Sequence, residues 1–280
     1  MIKLIVLFIS LAAGATLGYV LYTYAGLNLV ATIFASLGIF VGTLLLCVIL
    51  FFVILLILGL GVDKKKQRTT QSKYYRRNLI FMERCLGSLF GMKMHFKGKE
   101  YLSSSESYFI VANHRSNLDS ALIDIYLKNK PLVFIAKESL FKIPFVGKLI
   151  AGSGYLSLDR GNVKQEFEKI SLAIDMLTRE SNPISVAVFP EGTRNENKDN
   201  KDVQEFHPGT FRIAFKSRKP IAIIALRGTK EVNNNLLFKR HHCYLDIIEV
   251  LEYDQYKDMD FNSLSLYCHN KISNFLKENC

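Results

Sequence analysis

Charge is almost absent from the first 62 residues of the chain. Lys3 is the only charged side chain there, whereas the other 35 basic residues and all 25 acidic residues follow it. Because so apolar a segment lacks the polar surface of a soluble domain, we expect a boundary near residue 62. Residues 63–280 are long enough to form one soluble domain with a substantial core.

Several common functional patterns are also missing. The five cysteines form no Cys-x-x-Cys pair and no zinc-type cluster with histidine, so we expect reduced thiols and no metal. Neighbours on a strand point to opposite faces, which makes His241 and His242 poor joint ligands. The absence of Gly-x-Ser-x-Gly argues against a serine lipase, and no Walker or dinucleotide fingerprint occurs. No cofactor is therefore expected.

The basic balance of residues 63–280 raises the question of an anionic partner. A net charge of +10 is compatible with nucleic-acid binding. However, the apolar segment places a membrane nearer, and basic residues beside a span are attracted to anionic headgroups. We therefore expect membrane lipids as partners and no nucleic acid.

Two long apolar runs dominate the first part of the chain. Residues 4–25 and 29–62 each reach the ~20 residues that a helix needs to cross a bilayer. Lys3 precedes the first run and basic residues 64–68 follow the second, so the positive-inside rule predicts a helical hairpin with both ends cytoplasmic. A competing interpretation is a signal peptide over residues 1–15, although the apolar character continues past that point.

Each run carries a Gly-x-x-x-Gly pair, Gly14 with Gly18 and Gly38 with Gly42. Such pairs permit close helix approach. Glycine is also common in membrane helices by chance, and both interpretations stay open.

A basic amphipathic helix is predicted over Lys73–Met92. One face carries apolar residues at spacings of three and four, namely Tyr75, Leu79, Met82, Leu86 and Leu89. Lys73, Arg76, Arg77 and Arg84 are among its other positions. We assign residues 63–92 to a membrane-surface helix, with packing on its own domain as a further role. Residues 93–280 then form the folded domain.

Short apolar runs alternate with helical patterns in that domain. The candidate strands are Tyr108–Ala112, Leu132–Ala136, Tyr155–Leu158, Ile184–Phe189, Ile221–Leu226 and Cys243–Val250. This alternation predicts an α/β fold, with a mixed sheet flanked by helices.

The first candidate site follows the strand at Tyr108–Ala112. His114 comes just after this strand, and Asp119 lies five residues on at the start of a helix. The acid can accept a hydrogen bond from one ring nitrogen and leave the other as a base, because imidazole titrates near neutral pH. Alternatively, the acid is a favourable first-turn residue and the histidine a loop residue.

A second candidate site follows the strand at Ile184–Phe189. In Phe-Pro-Glu-Gly-Thr-Arg, Gly192 permits a tight turn and Arg194 offers a planar fork that matches phosphate. A β-turn with a solvated arginine is the simpler interpretation.

Together these motifs resemble those of the glycerolipid acyltransferase family, the family of the 1-acyl-glycerol-3-phosphate acyltransferases. Asn-His-x-Ser-x-x-Asp is followed about 70 residues later by Phe-Pro-Glu-Gly-Thr-Arg, and the resemblance covers roughly residues 90–230. It implies transfer of a fatty acyl group from acyl-CoA or acyl carrier protein to the 2-hydroxyl of lysophosphatidic acid, giving phosphatidic acid. His114 would be the general base, oriented by Asp119.

The resemblance also implies substrate-binding residues. Lys137 and Arg160 would bind the acceptor, and so would the second motif, which supplies Glu191, Gly192, Thr193 and Arg194. Asn195 and Ile223 replace a serine and a proline that are usual in the family, which leaves the exact acceptor open.

Two alternatives follow from this resemblance. The enzyme acylates glycerol-3-phosphate or another lysophospholipid, or the chain is a non-catalytic lipid-binding scaffold on the same fold. In each case we expect a multi-pass anchor in the cell membrane, with the folded domain on the cytoplasmic face.

Overall fold

The computed structural model of the chain describes residues 2–64, 66–103, 106–158, 163–196, 203–234 and 240–279. Its contacts divide the chain into two compact units, Met1–Leu60 and Gly61–Cys280.

The first unit consists of two apolar helices, α1 (Ile2–Tyr24) and α2 (Leu29–Leu58). Asn28 caps α2, since its side-chain oxygen accepts a hydrogen bond of 2.9 Å from the backbone N–H of Ala31. Both helices are long and apolar enough to cross a membrane.

The glycine pair of α1 lies against α2. A Cβ atom added at Gly14 would lie 2.9 Å from the backbone oxygen of Ser36, and one at Gly18 would lie 1.9 Å from the Ser36 hydroxyl. A Cβ at Gly38 or Gly42 would meet no described atom within 4 Å. The first pair therefore permits the close approach, and the second does not take part in it.

The second unit is built on a seven-stranded sheet in the order β1-β7-β6-β2-β5-β3-β4. Its strands are β1 (Met92–Lys97), β2 (Phe109–Ala112), β3 (Leu132–Lys137), β4 (Leu156–Leu158), β5 (Ser185–Val188), β6 (Ile221–Arg227) and β7 (His241–Leu251). Neighbouring strands are parallel except β6 and β7, which are antiparallel, so the sheet is mixed. The predicted fold class is confirmed.

Helices flank this sheet. They are α3 (Lys73–Leu89), α4 (Leu118–Tyr126), α5 (Glu138–Lys142), α6 (Val146–Gly152), α7 (Val163–Thr178), α8 (Arg212–Ser217), α9 (Thr229–Asn234), α10 (Tyr253–Tyr256) and α11 (Phe261–Asn279). Short 3₁₀ turns occur at Lys99–Tyr101 and Pro208–Phe211.

All six predicted strands are present, with ends that differ by no more than two residues. β1 was not predicted; it pairs in parallel with β7 at the edge of the sheet. Its exposure alternates between half-buried and exposed, and lysines and a histidine occupy its outer positions. An edge strand of this kind lacks the apolar run that revealed the others.

Helix α3 ends at Leu89, three residues before the predicted end, and packs on α4 and α6. Arg76, which the helical pattern placed among the polar positions, is only 4% exposed. Its guanidinium lies 2.5 Å from Asp124 and also donates to the backbone oxygens of Leu127 and Leu132. A buried charge is tolerated when it is paired and hydrogen-bonded in this way.

Candidate active site

Four neighbouring parallel strands bring the candidate residues to the same side of the sheet, where the carboxyl ends of these strands meet. The order is β6, β2, β5 and β3, and all four run in the same direction. His114 follows β2, the Glu191–Arg194 turn follows β5, and Lys137 ends β3. Carboxyl ends of parallel strands are where α/β folds place ligand sites.

The histidine and the aspartate are in direct contact. Nδ1 of His114 lies 2.9 Å from Oδ2 of Asp119. The side chain of His114 is 19% exposed, whereas that of Asp119 is fully buried. The ring is therefore accessible to a substrate while its partner is shielded from water.

Several donors converge on the Asp119 carboxylate. Oδ2 also accepts the backbone N–H groups of Arg115, at 2.6 Å, and Ser116, at 2.7 Å. Oδ1 accepts the hydroxyl of Thr229 at 2.5 Å. A carboxylate that accepts so many bonds is an acceptor toward the ring as well, so Nδ1–H of His114 donates. Nε2 is then the ring nitrogen left for a substrate hydroxyl.

The position of Asp119 follows from local structure. It lies in the first turn of α4, where the helix dipole favours a negative charge. The Ser116 hydroxyl accepts the backbone N–H of Leu118 at 3.2 Å and shapes the start of this helix.

The imidazole ring is also held from one side by an aromatic ring. Phe189 stacks on His114 with ring centroids 4.2 Å apart and planes inclined by 12°. Phe134 stacks in turn on Phe189 at 5.9 Å. This packing limits the orientations that the imidazole ring can adopt.

Glu191 is bound to the loop that carries the histidine. One carboxylate oxygen accepts the backbone N–H of His114 at 2.6 Å, and the other accepts that of Gln204 at 3.1 Å. Burial raises the pKa of Glu191 to about 7; these two bonds and Arg115 lower it, and the charge of Asp119 raises it. The resemblance implies a substrate-binding role for this residue, which stays a prediction; in the structure its two oxygens accept backbone N–H groups.

The turn that follows Glu191 is exposed. Gly192 adopts φ +74°, which only glycine tolerates easily, and its N–H bonds to the oxygen of Phe189 at 3.0 Å. The side chains of Thr193 and Arg194 reach solvent. The next backbone N–H, that of Asn195, donates to the oxygen of His114 at 2.8 Å. The turn and the histidine loop are therefore tied together.

Of the other predicted binding residues, Lys137 is exposed at the carboxyl end of β3, where it pairs with Leu158 of β4. Arg160 lies outside the described residues.

Two residues of the site were not predicted. Thr229 is buried and contacts Asp119, as described above. The Asn113 side chain forms a pair of bonds with the backbone of Leu226, at 2.9 and 2.8 Å, and joins the ends of β2 and β6. In the sequence, Thr229 is marked only by its position shortly after the predicted strand Ile221–Leu226 and directly after Gly228. In the structure, Gly228 adopts φ +83° at this turn.

This geometry defines a class of protein. A histidine in contact with a buried aspartate lies where the carboxyl ends of the parallel strands meet, and in the described part of the chain no serine or cysteine is hydrogen-bonded to its ring. Such a site suits enzymes in which the substrate's own hydroxyl is the nucleophile.

The comparison with known families agrees with that class. Residues 93–227 match the acyltransferase family model. This match confirms the resemblance seen in the two motifs, and the protein is an acyltransferase.

Individual relatives carry more specific names than the family model. The chain is 29% identical over 191 residues to the 1-acyl-sn-glycerol-3-phosphate acyltransferase of Borreliella burgdorferi, covering 64% of this chain and 74% of that protein. It is 28% identical to the Escherichia coli enzyme of the same name, over 69% of this chain and 76% of that one. The crystal structure of the 1-acyl-sn-glycerophosphate (LPA) acyltransferase from Thermotoga maritima superposes with a TM-score of 0.58 at 25% identity, covering 74% and 80% of the two chains.

Proposed function

We propose that the protein transfers a fatty acyl group from acyl-CoA or acyl carrier protein to the 2-hydroxyl of 1-acyl-glycerol-3-phosphate, giving phosphatidic acid. The observation that carries this proposal is the 2.9 Å contact between His114 and Asp119 at the accessible sheet edge. The names of the relatives support the choice of acceptor.

In the proposed reaction, Nε2 of His114 removes the proton from the 2-hydroxyl as its oxygen attacks the thioester carbonyl. The carbon–sulfur bond then breaks, and the imidazolium returns the proton to the departing thiolate. Asp119 keeps the ring in the required tautomer and stabilises its charged form. No covalent acyl-enzyme is needed, because the acceptor supplies the nucleophile.

The acceptor phosphate is assigned to Arg194 and Lys137. Both side chains are exposed; Arg194 follows β5 and Lys137 ends β3, and the carboxyl ends of these strands lie on the same side of the sheet as that of β2, which precedes His114. The bond from Asn195 to the His114 oxygen supports the assignment of Arg194, because it ties the two loops together. Arg160 and the remaining motif residues, Gly192 and Thr193, are proposed to complete this binding region on the strength of the family resemblance.

The location is proposed in the same way. The two apolar helices are consistent with membrane attachment. We assign both chain ends to the cytoplasmic side, where the basic residues that follow α2 favour anionic headgroups.

The proposal is tested by an acyl-transfer assay with three acceptors in the reconstituted protein. Labelled acyl-CoA or acyl carrier protein is offered with lysophosphatidic acid, glycerol-3-phosphate or lysophosphatidylcholine. We expect the highest kcat/KM with lysophosphatidic acid and loss of product in His114→Ala. A preference for another acceptor would move the assignment to that substrate, and no transfer to any acceptor would favour the non-catalytic scaffold.

A further inference from the structure

The outer face of α3 combines aromatic and cationic side chains. Tyr74, Arg77, Phe81 and Arg84 recur at spacings of three and four, so they lie along one side of the helix. All four are exposed, and Tyr74 and Phe81 leave 48% and 53% of their surface uncovered. We refer to these four residues as the outer face of α3.

This face carries no negative charge. The only acid in the helix is Glu83, which lies on the opposite side with Arg76 and faces Asp124 in the interior. The apolar residues Leu79 and Ile80 are buried on that same side. The face that sequence periodicity marked as apolar is therefore used by the domain itself, and the outward face has a different composition.

We propose that the outer face of α3 docks on the surface of a membrane that contains anionic lipids. Tyrosine and phenylalanine beside arginine are typical of helices that lie at a membrane interface. Each arginine near an anionic surface contributes about a fivefold increase in binding, from ~1 kcal/mol per residue. Only 14 residues separate Leu58 from Lys73, and an extended chain of this length spans at most about 50 Å, so α3 is within reach of a bilayer that α2 crosses.

The test uses the absence of tryptophan from the chain. Phe81→Trp in the full chain gives a single tryptophan that can be excited selectively, and the protein is reconstituted in vesicles with or without phosphatidylglycerol. Brominated lipids quench only a tryptophan that reaches the acyl-chain boundary. Phe167→Trp is the matched control, because Phe167 is also about half exposed, at 55%, and the guanidinium of Arg212 lies over its ring. It belongs to a different helix, α7, which packs on β4, β5 and α8.

We expect quenching at position 81 to exceed that at position 167 and to increase with anionic lipid. Each of the two arginines contributes about a fivefold preference of the helix for anionic lipid. Adding Arg77→Glu and Arg84→Glu should therefore lower the preference for anionic lipid, measured from the quenching at position 81, by more than tenfold. Circular dichroism checks that these variants fold. Equal quenching at the two positions would overturn the proposal, and so would quenching that ignores lipid charge. A tryptophan response only to added acyl carrier protein would identify a protein partner instead.

A separate observation concerns Thr229, whose buried hydroxyl donates to Oδ1 of Asp119 at 2.5 Å. Backbone amides and His114 occupy Oδ2, so Thr229 is the donor that the structure gives to the other oxygen. We infer that Thr229 is a positioning residue that fixes the Asp119 carboxylate for the base. This inference rests on the proposed function.

Thr229→Val keeps the shape and removes the hydroxyl, whereas Thr229→Ser keeps the hydroxyl. A hydrogen bond to a charged group is worth ~1.5–3 kcal/mol, so we expect kcat to fall about 10- to 100-fold in the valine variant. KM for both substrates should change little, and serine should restore most of the rate. Thr178→Val on α7 is the control, because that hydroxyl bonds only to the oxygen of Ile174 among the described residues.

The two failures are distinguishable. If His114→Ala remains active, the catalytic pair itself is wrong. If His114→Ala is inactive and Thr229→Val keeps its full kcat, or if serine fails to rescue, the positioning role is wrong and the proposed function stands.

Discussion

Glu191 should make the stability of the folded domain depend on pH. Its side chain is only 3% exposed, and burial raises its pKa from 4.5 to about 7. The unfolded chain loses this proton near the lower value, whereas the folded chain keeps it until about pH 7. Between these values the folded state binds more protons than the unfolded state.

The sign follows from that difference. Where the folded state binds the extra proton, the free energy of unfolding decreases as pH rises. Below about pH 4.5 the burial of Glu191 does not lower the free energy of unfolding through ionisation. Above about pH 7 the full decrease is present. At ~1.36 kcal/mol for each pKa unit, the rise corresponds to about 3 kcal/mol, an order-of-magnitude value.

The assay compares the wild type with Glu191→Gln, which cannot titrate. The full chain in mild detergent is unfolded with urea at several pH values, and brief labelling of the buried Cys243 and Cys268 at one fixed pH reports the unfolded fraction. An unfavourable contact between the glutamine amide and a backbone N–H is the same at every pH, so it cancels from the trend.

Between pH 4.5 and pH 7, we expect the free energy of unfolding of the wild type to decrease by up to about 3 kcal/mol relative to that of the variant. A difference that stays flat over this window, or that moves in favour of the wild type, would refute the reasoning from burial.

Three further predictions concern the catalytic pair, the phosphate site and the anchor. His114→Ala should lower kcat by ~10²–10⁴-fold without unfolding, and Asp119→Asn should be severe with residual activity; more than about a tenth of the rate in the alanine variant would contradict the mechanism. Arg194→Ala should raise KM for lysophosphatidic acid roughly 10- to 150-fold and spare the donor, with Arg194→Lys intermediate, whereas equal effects on both substrates would make the residue structural. Cysteine labelling should reach position 27 only from outside and position 67 only from inside, and a mature N-terminus near residue 16 would exclude the hairpin.

The sheet could be predicted wherever a strand is buried on both faces. β2 and β5 are buried at every position, and each is a short apolar run in the sequence. β1 was not predicted, because its partly buried residues Met92, Met94 and Phe96 alternate with exposed polar residues and form no apolar run. Arg76 was misplaced for a related reason, since helical periodicity cannot reveal that a distant Asp124 will pair with it.

In the candidate site too, contacts between residues close in the sequence could be predicted, and contacts between distant residues could not. The His114–Asp119 contact spans five residues, so motif spacing was enough to predict it. The contact between Thr229 and Asp119 spans 110 residues and depends on β6 lying beside β2. The bond from Glu191 to the histidine loop spans 77 residues and likewise depends on the order of the strands. Local patterns predict the contact between His114 and Asp119, but the residues that hold this pair are brought to it by the topology.

The two buried acids beside the base differ in what they contact, and this difference separates their roles. Asp119 bonds to the ring of His114, so a change there acts on the tautomer and on the charged form of the base. Glu191 bonds to the backbone N–H of His114, so a change there acts on where the loop lies. Both acids are buried, and loss of either leaves amide donors without an acceptor. Asp119 also accepts the backbone N–H groups of Arg115 and Ser116, so Asp119→Asn should lower kcat and also weaken the loop. Glu191→Gln leaves the contact between Asp119 and the ring in place, so it should alter the pH dependence of stability more than the chemical step.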